Sequence, residues 1–389
     1  MTRKHRSPLF GGIDRRGREE RRPPARRAGF CIMSTFFLLL ILRNAAAAIR
    51  YMGRGLTLCA QTVIPSLFPF MVVSELLVTS GAGEALGRLF SRVMRWLFGL
   101  SGAGASAVFL GSFCGFPIGA RTAVALLDRN VISKEECQHL LTFVNNPSSA
   151  FLISAVGLSI FGSRQLGVIL YGVVLGCGFL VGLLTRFLLG RGKAPAEHPH
   201  FPSGLRVDGI TSLPAALAGA ISSSTSAMLT VCAYVVFFSA VTGALEWIAD
   251  GRGAVGGTAY LLLCGLLEMT GGISRAAALP REWGVILTAA FAGWSGISVH
   301  CQVMTLCGGR GLSFRPYLLA KAAQGLLCGG VTALLLRCFP ALLTSAEGGV
   351  TDAILVFTSL RSFTIPALVT DTLFVAGWIL TQAGSERSR

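Results

Sequence analysis

Residues 111–121 read GSFCGFPIGAR, and residues 142–151 read TFVNNPSSAF. Each interrupts an apolar run with residues that open a helix. Pro117 removes a backbone donor and clashes with the preceding turn, while Gly115 and Gly119 admit conformations that other residues resist. Asn145 and Asn146 place amide donors and acceptors just before Pro147, and Ser148 and Ser149 supply hydroxyls where a new helix begins. In hydrocarbon an unpaired peptide group costs several kcal/mol, so groups freed here must face protein, water or a solute. These stretches predict an all-α membrane protein with broken or re-entrant helices whose gaps are candidate binding positions. The plainer alternative is a packed proline kink in the first and hydrogen bonding between helices in the second.

The same order of features occurs twice. Residues 56–190 and 214–340 each pass through four apolar stretches, with polar, Gly or Pro breaks at corresponding places. Gly111 matches Gly265, Arg121 matches Arg275, Ser149 matches Ser295 and Gly162 matches Gly308. Toward the ends, Cys177 matches Cys328 and Arg186 matches Arg337. Paired broken segments in two halves of an apolar chain point to a transporter-type site near the bilayer midplane.

Composition bounds the class. Hydrophobic residues make up 52% and charged residues 13%, against about a quarter charged in soluble domains. With mean hydropathy +0.66 and several apolar runs near the ~20 residues that cross a bilayer, the chain is polytopic. The runs are continuous rather than alternating, which excludes a β-barrel. The net charge of +16 resides in the N-terminal tail and the loops, where a positive-inside bias places it. No aromatic–basic surface accompanies it, so no nucleic-acid partner is expected. Eleven cysteines are scattered without a C-x-x-C pair, and Cys301 and Cys307 beside His300 lack a second histidine or carboxylate, so no metal is expected. Neither a nucleotide loop nor a hydrolase elbow nor H-E-x-x-H is present, which argues against an ATP-driven pump, a covalent enzyme or a cofactor.

Along the chain, residues 1–29 form a basic, Pro-rich tail expected to be disordered and cytoplasmic. Residues 30–55 supply a first membrane helix and connector, with Met33 as a second plausible start. A signal peptide is the alternative, disfavoured by the long basic region and by Arg43 within the apolar stretch. Inside 56–190, the segment 83–99 carries Arg88, Arg92 and Arg95 among apolar residues and suits an interfacial amphipathic helix. Residues 191–213 are a basic linker. The second half is expected to break around 222–225, 268–272 and 293–296, and the tail 341–389 holds one weak apolar stretch at 365–380. If 103–127 dips in and returns on one side, the tail, the three-arginine segment and the linker share the cytoplasmic side. Each half then crosses three times and the two are inverted. Arg50, Arg54, Arg275 and Arg281 fit this scheme poorly.

Further polar residues lie inside apolar runs. Arg121, at the inner end of its break, suits an anionic group. Glu268, followed by Thr270, is an intramembrane acid and so a candidate proton carrier or cation ligand, with Glu75 a weaker one. AGWSGISVHCQ places Ser295, Ser298, His300 and Gln302 in one segment, with His300 either a proton relay or a packing histidine. The candidate solute- or ion-binding set is therefore Gly115, Pro117, Gly119, Arg121, Asn145, Asn146, Ser148, Glu268, Thr270, Ser295, Ser298, His300 and Gln302.

PSLFPFMVVSELL, GFPIGAR with the following ISKEE, LLTFVNNPSSAFLISAVG, LLEMTGGI, and WSGISVHCQV with GLSFRPYLLAK together resemble the YlbJ-type sporulation integral membrane proteins, which contain the nucleoside-recognition (Gate) domain. The likeness spans about residues 50–340, in order. It implies a multi-pass cell-membrane protein of endospore-forming bacteria. It carries family motif positions onto Gly115, Pro117, Gly119, Asn145, Glu268, Gly272, Trp294, Gly296, Ser298, His300 and Gln302. One departure is that a Ser/Thr-Gly-Pro run usually follows the asparagine, where this chain has Asn146-Pro147-Ser148; neither tail has a counterpart. The leading functional expectation is a transporter or channel acting in spore formation, with the lipid bilayer and a small solute as partners and self-association left open. The competing one is a membrane scaffold that recruits spore-assembly proteins.

Overall fold

The computed structural model describes residues 24–79, 82–189, 213–246 and 253–340. The basic tail before residue 24, the linker at 190–212 and the stretch from 341 onward lie outside the described residues. Every described element is a helix, and four are long and apolar enough to cross a membrane: Arg164–Leu188, Pro214–Ala244, Arg281–Cys307 and Phe314–Cys338. The protein is an all-α polytopic membrane protein.

Two helical hairpins organise it. α5 (Ala105–Phe113) and α6 (Ile118–Asp128) flank the gap at 114–117. Gly111 and Gly119 would stand about 12 Å apart along a straight helix. Instead the chain doubles back, and a β-carbon added to Gly119 would lie 2.8 Å from the Gly111 α-carbon and 2.1 Å from the Val144 carbonyl oxygen. α10 (Gly253–Leu267) and α11 (Met269–Ala276) turn back around Glu268 in the same manner, a β-carbon on Gly272 falling 2.2 Å from the Gly265 α-carbon. Without side chains at the crossing, the two arms approach to backbone contact, as small residues permit between membrane helices.

A broken helix and then a long helix follow each hairpin. After the first come α7 (Lys134–Leu141), a gap, the wide-wound segment Phe151–Ile160, and α8 (Arg164–Leu189). α8 runs back along the whole broken helix: Gly157 abuts Gly167, and His139 Nε2 lies 2.8 Å from the Gly182 carbonyl oxygen. These contacts are about 22 Å apart along α8, so the broken helix travels from one end of the bundle to the other. After the second hairpin come α12 (Arg281–Trp294), Ser295, α13 (Gly296–Cys307) and α14 (Phe314–Cys338). α14 returns alongside both, with Cys328 beside Gly293 and Tyr317 beside His300.

The hairpins enter from opposite ends. At one end the root of the first hairpin meets the loop after α13: Arg310 pairs with Asp128 at 2.6 Å, and the Ser313 backbone N–H donates to Gln138 at 2.7 Å. The Arg310 guanidinium holds the Asp128 carboxyl below the usual carboxylate range, but both groups are well exposed, so this pair fixes position more than stability. At the other end the root of the second hairpin, with Ala276, Ala277 and Leu279, packs into an apolar cluster with Phe161.

Peripheral helices enclose this core. α1 (Pro24–Arg43) and α2 (Ala45–Leu58) meet at a 96° bend at Asn44, whose amide donates to the Ala244 carbonyl at the end of α9 (Leu213–Ala244). α4 (Ala82–Val93), continuing to Phe98, turns by 102° into α5. Arg186 caps its last carbonyls, donating to Trp96 and, at 3.0 Å, to Leu97. Two arginines that fit the charge bias poorly have local partners: Arg50 pairs with Glu246 at 3.2 Å, and Arg275 donates to Tyr260 while lying over the Tyr51 and Tyr260 rings.

One expected break is absent. α9 runs unbroken through 222–225, because Thr225 donates to the Ile221 carbonyl at 2.8 Å and Ser226 to that of Ser222. Hydroxyls bonded one turn back satisfy themselves without opening the helix.

Two outcomes follow. In a background without reactive cysteines, Arg129→Cys and Arg315→Cys should label with an impermeant maleimide from one side of the membrane, and Arg164→Cys and Ala278→Cys from the other. Gly272→Ala should destabilise the detergent-solubilised protein by about 1–3 kcal/mol, seen as a lowered melting temperature, whereas Gly176→Ala, with nothing within 4 Å, should not.

Candidate functional site

Each hairpin tip sits in the gap of the broken helix that follows it. Gly115, at φ +83°, forms the first tip, and a β-carbon there would come within 2.7 Å of Ser148. Only glycine meets both requirements, the left-handed backbone and the close approach. The second tip, at Glu268, rests against Gly296, whose added β-carbon would lie 3.0 Å from the Met269 nitrogen. Trp294 secures it by donating its indole N–H to the Leu266 carbonyl at 3.0 Å. Ser295, a non-glycine residue at φ +75°, makes the break between α12 and α13.

The two tips, the first gap and the first turns of α13 converge on a cavity of about 50 Å³. Its polar lining includes Ser148, Glu268, Thr270, Ser298 and Gln302, and apolar walls come from Val63, Leu67, Val231 and Val235 on the helices outside the hairpins. Glu268 is 6% exposed and caps α11: its carboxylate accepts from the Thr270 N–H at 3.0 Å, the Gly271 N–H at 2.7 Å and the Thr270 hydroxyl. A carboxylate at a helix N-terminus is favoured by the unpaired N–H groups there. Ser298 and Gln302 stand one helical turn apart on α13, and the Ser298 hydroxyl and the Gln302 carbonyl oxygen are buried without a hydrogen-bond partner. A polar solute could satisfy both.

Size limits what fits. Pockets for drug-sized ligands run to about 300–1,000 Å³, whereas a single water needs only about 10–15 Å³ by the same kind of measure. The cavity therefore holds an ion or a few waters as it stands, and anything larger requires a tip to move.

Other expected site residues lie elsewhere. Pro117 follows Phe116 across a cis peptide at the first tip, and Phe116 touches the cavity. Gly119 is filled from outside by the Val144 carbonyl and serves the hairpin crossing. Arg121 pairs with Glu75 at 3.2 Å and donates to Ser223, so its charge is met within the protein. The Ser295 hydroxyl donates to the Ala292 carbonyl, within its own helix end.

Asn145, Asn146 and His300 form a separate layer behind the cavity, against α14. Lys321, with no exposed surface, donates to the Asn145 backbone carbonyl at 2.9 Å and to the Gln324 side chain at 2.7 Å. Gln324 in turn donates to the Asn146 side chain at 2.8 Å and to the Val174 carbonyl at 2.9 Å. Tyr317 lies 3.0 Å from His300 Nδ1 and receives a long contact, 3.5 Å, from the Asn145 amide. The sequence reading passed over Lys321, Gln324 and Tyr317. The signal was present: a lysine inside a 25-residue apolar helix, followed one turn later by glutamine.

The Gate family model, described as nucleoside recognition, matches residues 60–242, a stretch that includes the first hairpin, its broken helix and α8 and ends before the second hairpin. No solved structure matches. Over 307 residues the chain is 28% identical to the sporulation integral membrane protein YlbJ of Bacillus subtilis (strain 168), covering 70% of this chain and 73% of that one. The protein is thus a polytopic membrane protein, similar over residues 60–242 to the Gate, or nucleoside-recognition, family and over most of its length to YlbJ.

Proposed function

We propose that the protein acts in bacterial spore formation as a transporter or channel for a small solute held between the two hairpin tips. The observation that carries this reading is the meeting of both tips, the first helix gap and the first turns of α13 at one cavity, two of whose lining residues, Ser298 and Gln302, have buried side-chain oxygens without a hydrogen-bond partner. Gaps of this kind are tolerated at membrane depth only where they line a cavity or pack in protein. The order of hairpin, broken helix and long helix over 105–189 and again over 253–338 supports two inverted halves, an arrangement in which one half can rock against the other around a fixed site. We assign the end bearing the Asp128–Arg310 pair to the cytoplasm, because α8 ends on that side and the sequence that follows it is basic. The similarity to YlbJ supports the sporulation role. The small cavity means that the described conformation is closed, and admission of a nucleoside-sized solute requires a tip to lift.

Glu268→Gln, Ser298→Ala and Gln302→Ala, introduced into a spore-forming host that depends on this protein, should each lower the yield of heat-resistant spores on the order of ten-fold, the scale of a lost buried hydrogen bond. Membrane levels of the protein, read by immunoblot, should stay unchanged, and Leu326→Ala, on the lipid-facing side of α14, should have no effect. Normal spore numbers from all three cavity variants would overturn the reading and leave a scaffold, which tolerates an altered cavity.

A further inference from the structure

Among the described residues, no acid pairs with the lysine buried on α14. Among the described residues its hydrogen-bond partners are two neutral oxygens, the main-chain carbonyl of Asn145 and the side-chain carbonyl of Gln324. The Asn145 carbonyl belongs to the gap between α7 and Phe151–Ile160, one of the groups that helix breakage leaves without an intrahelical donor. An ammonium therefore stands where an opened helix needs a positive group. The fold does not demand this in general. With Cys177 matched to Cys328, the positions in the first half that correspond to Lys321 and Gln324 are Leu170 and Val173, buried in an apolar cluster with Ala289 and Ala292.

We propose that Lys321 is a proton-binding latch on the first helix gap: charged, it pins Asn145 to α14, and neutral, it releases the gap and the cavity wall that follows it. Lysine, unlike arginine, exchanges its charge when buried, and a neutral amine offers the carbonyl a far weaker hydrogen bond. Two and three residues beyond Asn145 the chain reaches Pro147 and Ser148, which line the cavity, so loosening the gap acts on the solute site directly. Gln324 extends the latch, because it receives Lys321 on its oxygen and holds Asn146 with its amide. The titratable groups facing Lys321 are His300 on α13, Tyr317 and Cys328 on α14, and, beyond Cys328, Cys177 on α8. The Asn145 side-chain oxygen and His300 Nε2 are buried without partners in the same layer. The ligand of this site is the proton itself. Its consequence for solute movement rests on the transport reading above, whereas the latch does not.

Hydrogen–deuterium exchange of the peptide covering 142–150 tests it, using the purified full chain between about pH 5 and about pH 10, the span over which buried and free lysines titrate. After correction for the intrinsic pH dependence of exchange, the wild-type protein should lose protection in this peptide by about ten-fold as pH rises. Lys321→Met, which keeps the volume and all four other titratable groups, should exchange at the fast rate throughout. Lys321→Arg, where it folds, should stay protected throughout. Flat corrected exchange in the wild type, or a pH response retained in Lys321→Met, would overturn the latch. Should exchange switch as expected while the cavity variants sporulate normally, transport falls and the latch stands.

Discussion

Peptide groups cannot be left open inside hydrocarbon, and this structure is arranged around four places where they are opened. Two are hairpin tips and two are gaps in the helices that follow. Each tip sits in a gap, so the groups freed by one break are covered by the other rather than by lipid. That mutual cover explains the glycines: Gly115 and Gly296 allow backbone to approach backbone where any side chain would hold the partners apart. It also explains why the polar residues cluster as they do. Glu268 serves the N–H groups at the start of α11, and Lys321 serves a carbonyl of the other break, so an acid and a base each meet the end of the peptide group that they suit.

Much of this arrangement is legible in the sequence, and for a definite reason. Gly and Pro constrain the backbone at their own positions, so GSFCGFPIGAR and TFVNNPSSAF announce breaks without knowledge of their surroundings. The apolar and basic pattern of 83–99 likewise announces a helix, and a helix with a sharp turn before α5 is what forms there. Serine and threonine are less informative. The hydroxyl run at 222–225 looks like a gap but bonds within its own helix, and nothing local separates the two cases.

What could not be read depends on partners distant in sequence. Arg121 looked available for an anion, yet Glu75, brought beside it by packing, meets its charge. Asn145 and Asn146 looked like solute ligands, yet they face α14 because Lys321 and Gln324 wait there. The cavity's size follows from Val231 and Val235 on α9 and from Val63 and Leu67, residues that carry no motif. Lys321 itself was obscured by its position near the start of α14, where a cation resembles an ordinary helix-end residue.

The two hairpins are rooted in unlike soils. The first is moored at its base by an exposed ion pair and a few hydrogen bonds, contacts that dissolved salt screens. The second is moored by an apolar cluster of phenylalanine, alanine and leucine, which ions scarcely touch but which cooling and cosolvents weaken. A change in ionic strength thus reaches one gatepost and spares its twin, and the molecule carries within its near-symmetry a means of telling its two faces apart.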